Sequence, residues 1–305
     1  MKGSAVALLC LSVFLLAGMP PVRADVAPDP LYKGMTPARK DSRVQMVSQD
    51  VMIHLDSDWC RVEADFILHN RSRSSAVMEV GFPTGYEDEV KDLRVFRNGE
   101  SVKVRSDVEH ETWEEDQSDT IYHWALWDMR FAPDERVSLR VAYSVKPRKN
   151  HDYLISRYRQ HLPRIDEDFE GEASVPAEVD KVMAGMTSYS TGYVMVTGAG
   201  WHGPIEKAAV TFIHPTGSGV IRWIDPAHNF TVTPEGIAWT FDFIEPDFDV
   251  GVEFSENATL DEEIALVREA LALSDSGRKE GLVRHLDYLK GLEQCLPTGD
   301  CRDFQ

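Results

Sequence analysis

The sequence predicts a mainly β fold, two β-sandwich-like units followed by a C-terminal α-helical hairpin, and three observations carry that reading. Between Arg43 and Phe254, short runs of alternating apolar and polar residues recur, the period-two pattern of half-buried strands. Turn residues such as Asn98-Gly99 and Pro133-Asp134 separate these runs. Beyond Thr259 the apolar spacing lengthens to three and four residues, the period of an amphipathic helix.

Taken in order, residues 1–24 read as a cleavable secretory signal. Lys2 supplies a positive start, Ala5 to Ala17 an apolar stretch, and Val22-Arg23-Ala24 a cleavage site before Asp25. The apolar stretch is shorter than the ~18–20 residues of a membrane span and is interrupted at Pro20 and Pro21. Cys10 lies inside that stretch and not at the cleavage point, which argues against a lipid-modified terminus. No later segment is long and apolar enough to span a bilayer, so the mature chain is expected without a transmembrane segment, in the periplasm or outside the cell.

Residues 25–42, with Pro28, Pro30 and Pro37, read as an extended arm. The first β unit spans 43–146. Its strands are marked by Val44, Met46, Val51, Ile53 and Leu55, then by Val62, Ala64, Phe66 and Leu68, then by Val77 to Phe82. Leu93 and Val95 face Val102 and Val104 across Asn98-Gly99, a pair suited to a type I′ hairpin turn. Two longer strands, Ile121 to Phe131 and Val137 to Val145, complete the unit.

Residues 147–188 interrupt the pattern with a basic half (Arg148, Lys149, Arg157, Arg159, Arg164) and an acidic half (Asp166, Glu167, Asp168, Glu170, Glu172), and read as an inserted excursion. A second β unit spans 189–256, with strands at Tyr189 to Thr197, Ile205 to His214, Val220 to Ile224, Phe230 to Thr233, Ile237 to Phe243 and Val250 to Phe254. In the last segment, 257–305, Thr259 and Glu262 form a capping box ahead of the stripe Ile264, Val267 and Leu271. A second helix from Lys279 to Leu292 carries Leu282, Leu286 and Leu289 on one face.

Charge narrows the partners. Without Lys2 and Arg23 the mature chain keeps 30 of its 32 basic residues against 51 acidic ones, a formal charge of about −21. Nucleic acid is a poor partner for such a chain, because phosphate binding needs clustered Lys and Arg. Acidity serves solubility, and it also leaves room for a bound cation or a basic partner. Of the four cysteines, Cys295 and Cys301 flank a Pro-x-Gly turn and are expected to close a disulfide loop, while Cys60 in a strand is expected to be a buried thiol.

The sequence carries no G-x-S-x-G elbow. His110-Glu-Thr-Trp-Glu114 lacks the second histidine of a zinc protease helix. A zinc site assembled from His110, His123 and His202 is the remaining metal arrangement of that type, and the cofactor expectation is none, with calcium as the exception. Two acidic clusters offer oxygen ligands. One gathers Glu109, Glu111, Glu114, Glu115, Asp116 and Asp119 at a loop or hairpin end, the other Asp242, Glu245, Asp247 and Asp249 around Pro246. Neither has the register of a recognised calcium loop, and solvated charge is the plainer reading. Trp124 and Trp127, three apart in one strand, point to opposite faces, so one of them is available to stack on a sugar ring.

Gly198-Ala-Gly200-Trp-His-Gly203 spells G-x-G-x-x-G, yet Pro204 and a strand follow it where a dinucleotide site needs a helix. The glycines instead suit a tight connection with Trp201 packed over it. The stretch Tyr193-Val-Met-Val-Thr-Gly-Ala-Gly-Trp-His-Gly-Pro-Ile205, with the later Phe243-Ile-Glu-Pro246, resembles the centre of an exported bacterial family, domain of unknown function 4424. Val77 to Pro83 and Ile121 to Tyr143 resemble its earlier parts, so the likeness covers about residues 43 to 254. It implies an extracytoplasmic, β-rich protein and brings no catalytic residues with it.

These readings converge on a non-enzymatic recognition or scaffolding protein of the envelope, with a protein or envelope component as partner. Its binding residues are expected among Trp201, His202, Glu111, Glu114, Glu115 and Asp116, with the 147–188 excursion as a presenting surface. Two alternatives stay open: an envelope glycan hydrolase using paired carboxylates, and a calcium- or glycan-binding module.

Overall fold

Alternating side chains that bury one face of a strand force sheets to pair face to face, and among the described residues the chain does so with three sheets. The computed structural model describes residues 32–33, 36–37, 43–85, 89–112, 119–149, 188–214, 221–233, 235–255, 259–273 and 279–302. Residues 1–31 lie outside this set, as does nearly all of the 147–188 segment.

The first unit supplies the long antiparallel strands β3 (Val44–His54), β4 (Cys60–Asn70) and β10 (Arg136–Val145). Beside β10 lie β6 (Val90–Arg97) and β7 (Glu100–Ser101). Asn98 and Gly99 both take positive φ, 50° and 85°, as a type I′ turn requires. The returning strand is shorter than the sequence suggests: after Val102 N–H bonds the Val95 carbonyl, the chain leaves for another sheet. That second, four-stranded sheet runs β2 (Thr36–Pro37), β5 (Ala76–Gly85), β9 (Asp119–Phe131), β8 (Arg105–Thr112).

The two β units share one sheet and one core. From the second unit, β13 (Ile205–Ile213) pairs in parallel with β3, and β16 (Gly236–Ile244) and β15 (Phe230–Thr233) extend it outward, giving eight strands in the order β15-β16-β13-β3-β4-β10-β6-β7. A third sheet runs β1 (Tyr32–Lys33), β12 (Ser188–Tyr193), β17 (Val250–Ser255), β14 (Ile221–Asp225), with β11 (Arg148–Lys149) also on β12. The extended arm therefore contributes a short strand to each of the two smaller sheets. Phe82 of β5 meets Tyr143 of β10 edge-on at 4.7 Å, and His214 just beyond β13 meets Phe254 of β17 at 6.3 Å. These contacts lock the smaller sheets onto the eight-stranded one around a single buried cluster that includes Phe66, Val141, Phe212 and Trp239.

Helices α1 (Leu260–Leu273) and α2 (Lys279–Cys295) form the expected hairpin. Thr259 and Glu262 bond each other's backbone N–H reciprocally, at 3.3 and 3.2 Å, and so cap α1. Ile264, Val267, Leu282 and Leu289 are buried. Cys295 and Cys301 are joined, their Cα atoms 5.1 Å apart. The closed loop is fastened to the β body: Cys301 N–H donates to the Ala227 carbonyl at 2.7 Å, and His228 bridges Asp300.

Candidate functional site

The residues picked out by motif fall into separate places. Trp201 is 3% exposed, so its indole is a packing element and not a ligand platform, while His202 beside it is exposed. Glu111 lies near the end of β8, opposite Thr120 of β9, and Glu114, Glu115 and Asp116 lie outside the described residues. His110 sits in the same strand and not in a helix, which removes the zinc-protease comparison. Among the described residues no group of three or more His, Cys, Asp or Glu is placed to hold a metal.

The glycine-rich segment is structural. The strand expected to reach Thr197 stops at Tyr193, because the Asp249 carboxylate accepts the N–H groups of Met195 at 2.8 Å and Val196 at 3.3 Å and turns the chain into a 3₁₀ turn over Val196–Gly200. Gly198 is held there by close approach: a Cβ on it would lie 2.8 Å from Ile205 and 3.2 Å from Pro246. The two motifs that carry the family resemblance thus pack on each other, and Asp249 of the second acidic cluster is engaged with backbone. Asp242, Glu245 and Asp247 are exposed.

Cys60 is the buried thiol expected of it. Burial pushes it up to about 12, and the thiol donates to the Asp56 carbonyl at 3.4 Å. A thiol so hard to ionise is a poor nucleophile.

The concave chemistry lies elsewhere, at an irregularity in β6. Ala142 of β10 pairs with Arg94 and Ser144 with Lys91, so that Asp92 and Leu93 together face the single residue Tyr143, a β-bulge. Asp92 has φ of 57°, the left-handed region that few non-glycine residues adopt and that Asp tolerates better than most. Bulges of this kind re-aim side chains, and here the bulge forms one wall of a cleft of about 330 Å³. Thr84 from β5, Ser106 from β8, and His123 and Trp124 from β9, strands of the four-stranded sheet, line it as well, together with the apolar Val90, Val104 and Ala125.

Local structure fixes these groups. The Thr84 hydroxyl donates to the His123 carbonyl at 3.0 Å, tying β5 to β9 at the cleft. The Trp124 indole lies over Gly81: a Cβ there would come within 3.0 Å of its Cε3. Trp127, three residues on, is fully buried, so the pair splits between faces as the strand period requires.

A second cleft of about 540 Å³ lies across the bulge and shares Asp92 and Leu93 with the first. It is lined by charge, Arg61, Glu63 and Arg94, together with Ser144. Nearby, the Lys91 ammonium sits 3.7 Å from the centroid of the Trp59 ring. At an exposed site such a contact contributes roughly 0.5–1 kcal/mol. His54, across from Arg61 in the register, is lowered below its usual range, first by burial and then by the Arg61 charge.

No family model matches the chain, and no curated protein matches it in sequence. Among solved structures it is similar to a protein from Legionella pneumophila described as a nutrient-binding candidate: 14% identity, TM-score 0.53, 85% of this chain and 82% of that one. That likeness is one of fold. A mutant M1 zinc metallopeptidase from Deinococcus radiodurans aligns at 12% identity and a TM-score of 0.31, over 70% of this chain and 42% of that one. Yeast LTA4 hydrolase aligns at 7% and 0.33, over 72% and 30%. This chain spans less than half the length of either enzyme, and nothing about their chemistry transfers.

Proposed function

We propose that the chain is an exported recognition protein that holds a small polar ligand in the cleft walled by the Asp92 bulge. The observation that carries the reading is the bulge itself: a non-glycine residue kept in the left-handed region at the mouth of a concave, partly apolar cleft with an indole on its far side. Backbone irregularity of this sort is concentrated at ligand clamps and active sites, and an apolar cleft with a few convergent polar groups is the usual form of a small-molecule site. The volume of about 330 Å³ is at the lower end of the range for such sites and suits a ligand the size of one sugar or amino acid.

Three further considerations support this reading. The N-terminal signal pattern and the resemblance to domain of unknown function 4424 support work outside the cytoplasm, where envelope components are the available partners. The sequence carries no G-x-S-x-G nucleophile elbow that would favour turnover over capture. The Legionella protein of similar fold is described as a nutrient-binding candidate, a role of the same kind.

The test is a thermal-shift panel of free hexoses, N-acetylhexosamines, amino acids and short peptides on the mature chain, repeated with Trp124→Ala. A ligand that raises the melting temperature of the wild type and not of the variant supports the reading. A ligand that stabilises both equally binds somewhere else and overturns it.

A further inference from the structure

The cleft does not end at Asp92. Asp92 and Leu93 form a ridge with the Trp124 cleft on one side and the larger, charged cleft on the other. Apart from Lys91 and Asp92, the polar side chains of the first cleft are neutral hydrogen-bonding groups: the Ser106 hydroxyl and the His123 imidazole combine donor and acceptor capacity, and the Thr84 hydroxyl, which donates to the His123 carbonyl, can still accept. Such groups match the hydroxyls of a sugar, which also donate and accept. The zwitterion of a free amino acid needs a desolvated pair of opposite charges instead. Lys91 and Asp92, the charged residues here, are exposed to water.

The indole of Trp124 supplies a flat apolar surface for the C–H face of a pyranose ring. Beside the second cleft the half-buried Trp59 supplies a second one, with the exposed Lys91 ammonium 3.7 Å from its centroid. Arg94 and Ser144 add donors on that side.

Resting on the ligand reading of the Trp124 cleft, we infer that the ligand is a glycan chain and not a free sugar. One ring seats against Trp124, and the following units cross the Asp92–Leu93 ridge toward Arg94 and Trp59, with the Lys91 side chain swinging off the indole. Two subsites joined by a ridge bind a chain more tightly than its monomer, because the second contact is made intramolecularly.

Isothermal titration of the mature chain with cello-, chito- and peptidoglycan-derived oligosaccharides, each as a series of increasing length beside its free monosaccharide, reads this out. The expected result is an affinity that rises roughly tenfold or more from one unit to four in at least one series and then levels off. Arg94→Ala and Trp59→Ala should remove the rise and leave monosaccharide affinity unchanged. Trp124→Ala should abolish binding at every length, with Trp124→Phe as the partner variant that keeps an aromatic surface and secures the fold. A monosaccharide that binds as tightly as its oligomers overturns the chain inference while leaving the cleft as the site. Binding of amino acids with no sugar bound does the same. No binding by any sugar or amino acid overturns both.

Discussion

The bulge at Asp92 is the feature on which site and backbone depend together, and two substitutions separate those roles. A left-handed backbone costs an L-residue ~1–2 kcal/mol, with Asp toward the low end. Glycine carries no such penalty but gains freedom in the unfolded chain, a loss of ~0.5–1 kcal/mol on folding. The two effects oppose each other, so Asp92→Gly should leave stability within about 1 kcal/mol of wild type. Asp92→Val, β-branched at φ of 57°, has no such relief and should lose at least about 1–2 kcal/mol. In a chain of this size that is a fall of roughly 2–8 °C in melting temperature.

Binding should separate the variants further. Asp92→Gly keeps the ridge and removes one exposed carboxylate, a change of about 0.5–1.5 kcal/mol, or about two- to tenfold in affinity. Asp92→Val pushes the strand toward a regular register, and a one-residue slip turns Leu93 and its neighbours to the other face. Its affinity should fall well beyond that of the glycine variant. Thermal melts by circular dichroism and titration with the tightest-binding sugar measure both. A valine variant that melts and binds like wild type refutes the claim that the bulge shapes the site.

Gly81→Ala places a Cβ 3.0 Å from Trp124 and should weaken ligand binding in a titration although residue 81 does not line the cleft; unchanged affinity counts against Trp124 as its wall. Cys295→Ala with Cys301→Ala opens a loop with a sequence separation of 6, for which loop entropy gives about 2 kcal/mol, readable as a lower denaturation midpoint. The matching control is wild type under reducing conditions, which should melt with the variant. His214 is lowered below its usual pKa, chiefly by burial, with the Ser255 carbonyl opposing. The unfolded chain therefore binds the proton more readily than the folded one, and stability is complete above about pH 6.5 and falls as pH drops from there toward the folded pKa. His214→Gln should flatten that acid limb in urea titrations, and an identical limb in both proteins would assign it to other groups.

Much of the fold is written locally. Alternation marks β3, β4 and β10, Asn98-Gly99 marks its turn, and Thr259 with Glu262 marks the start of α1, because each depends on residues a few positions apart. The parallel pairing of β3 with β13, which sets Val51 beside Val210, depends on chain segments far apart in sequence and has no local signature. β8 is hidden for another reason: Arg105-Ser-Asp-Val-Glu-His-Glu-Thr112 is polar except for Val108, shows no apolar alternation, and owes its extended form to pairing with β9.

The site was legible only in fragments. Trp124 could be singled out by its spacing from Trp127, and His123 stood among the scattered histidines. The bulge that gathers them is silent in the sequence, because Asp92 takes its positive φ without a glycine to announce it. Conversely, the glycine-rich motif drew attention to Trp201, whose role is to pack beside a turn held by Asp249.

The central claim, that ligand seats at the Asp92 bulge, is tested most directly by hydrogen exchange with and without a bound oligosaccharide. Slower exchange is expected in the peptides holding Thr84, Val90 to Leu93, Val104 to Ser106 and His123 to Ala125, with little change elsewhere. Protection confined to Val196 to Ile205, with none around Asp92, would contradict it and return the site to the glycine-rich segment.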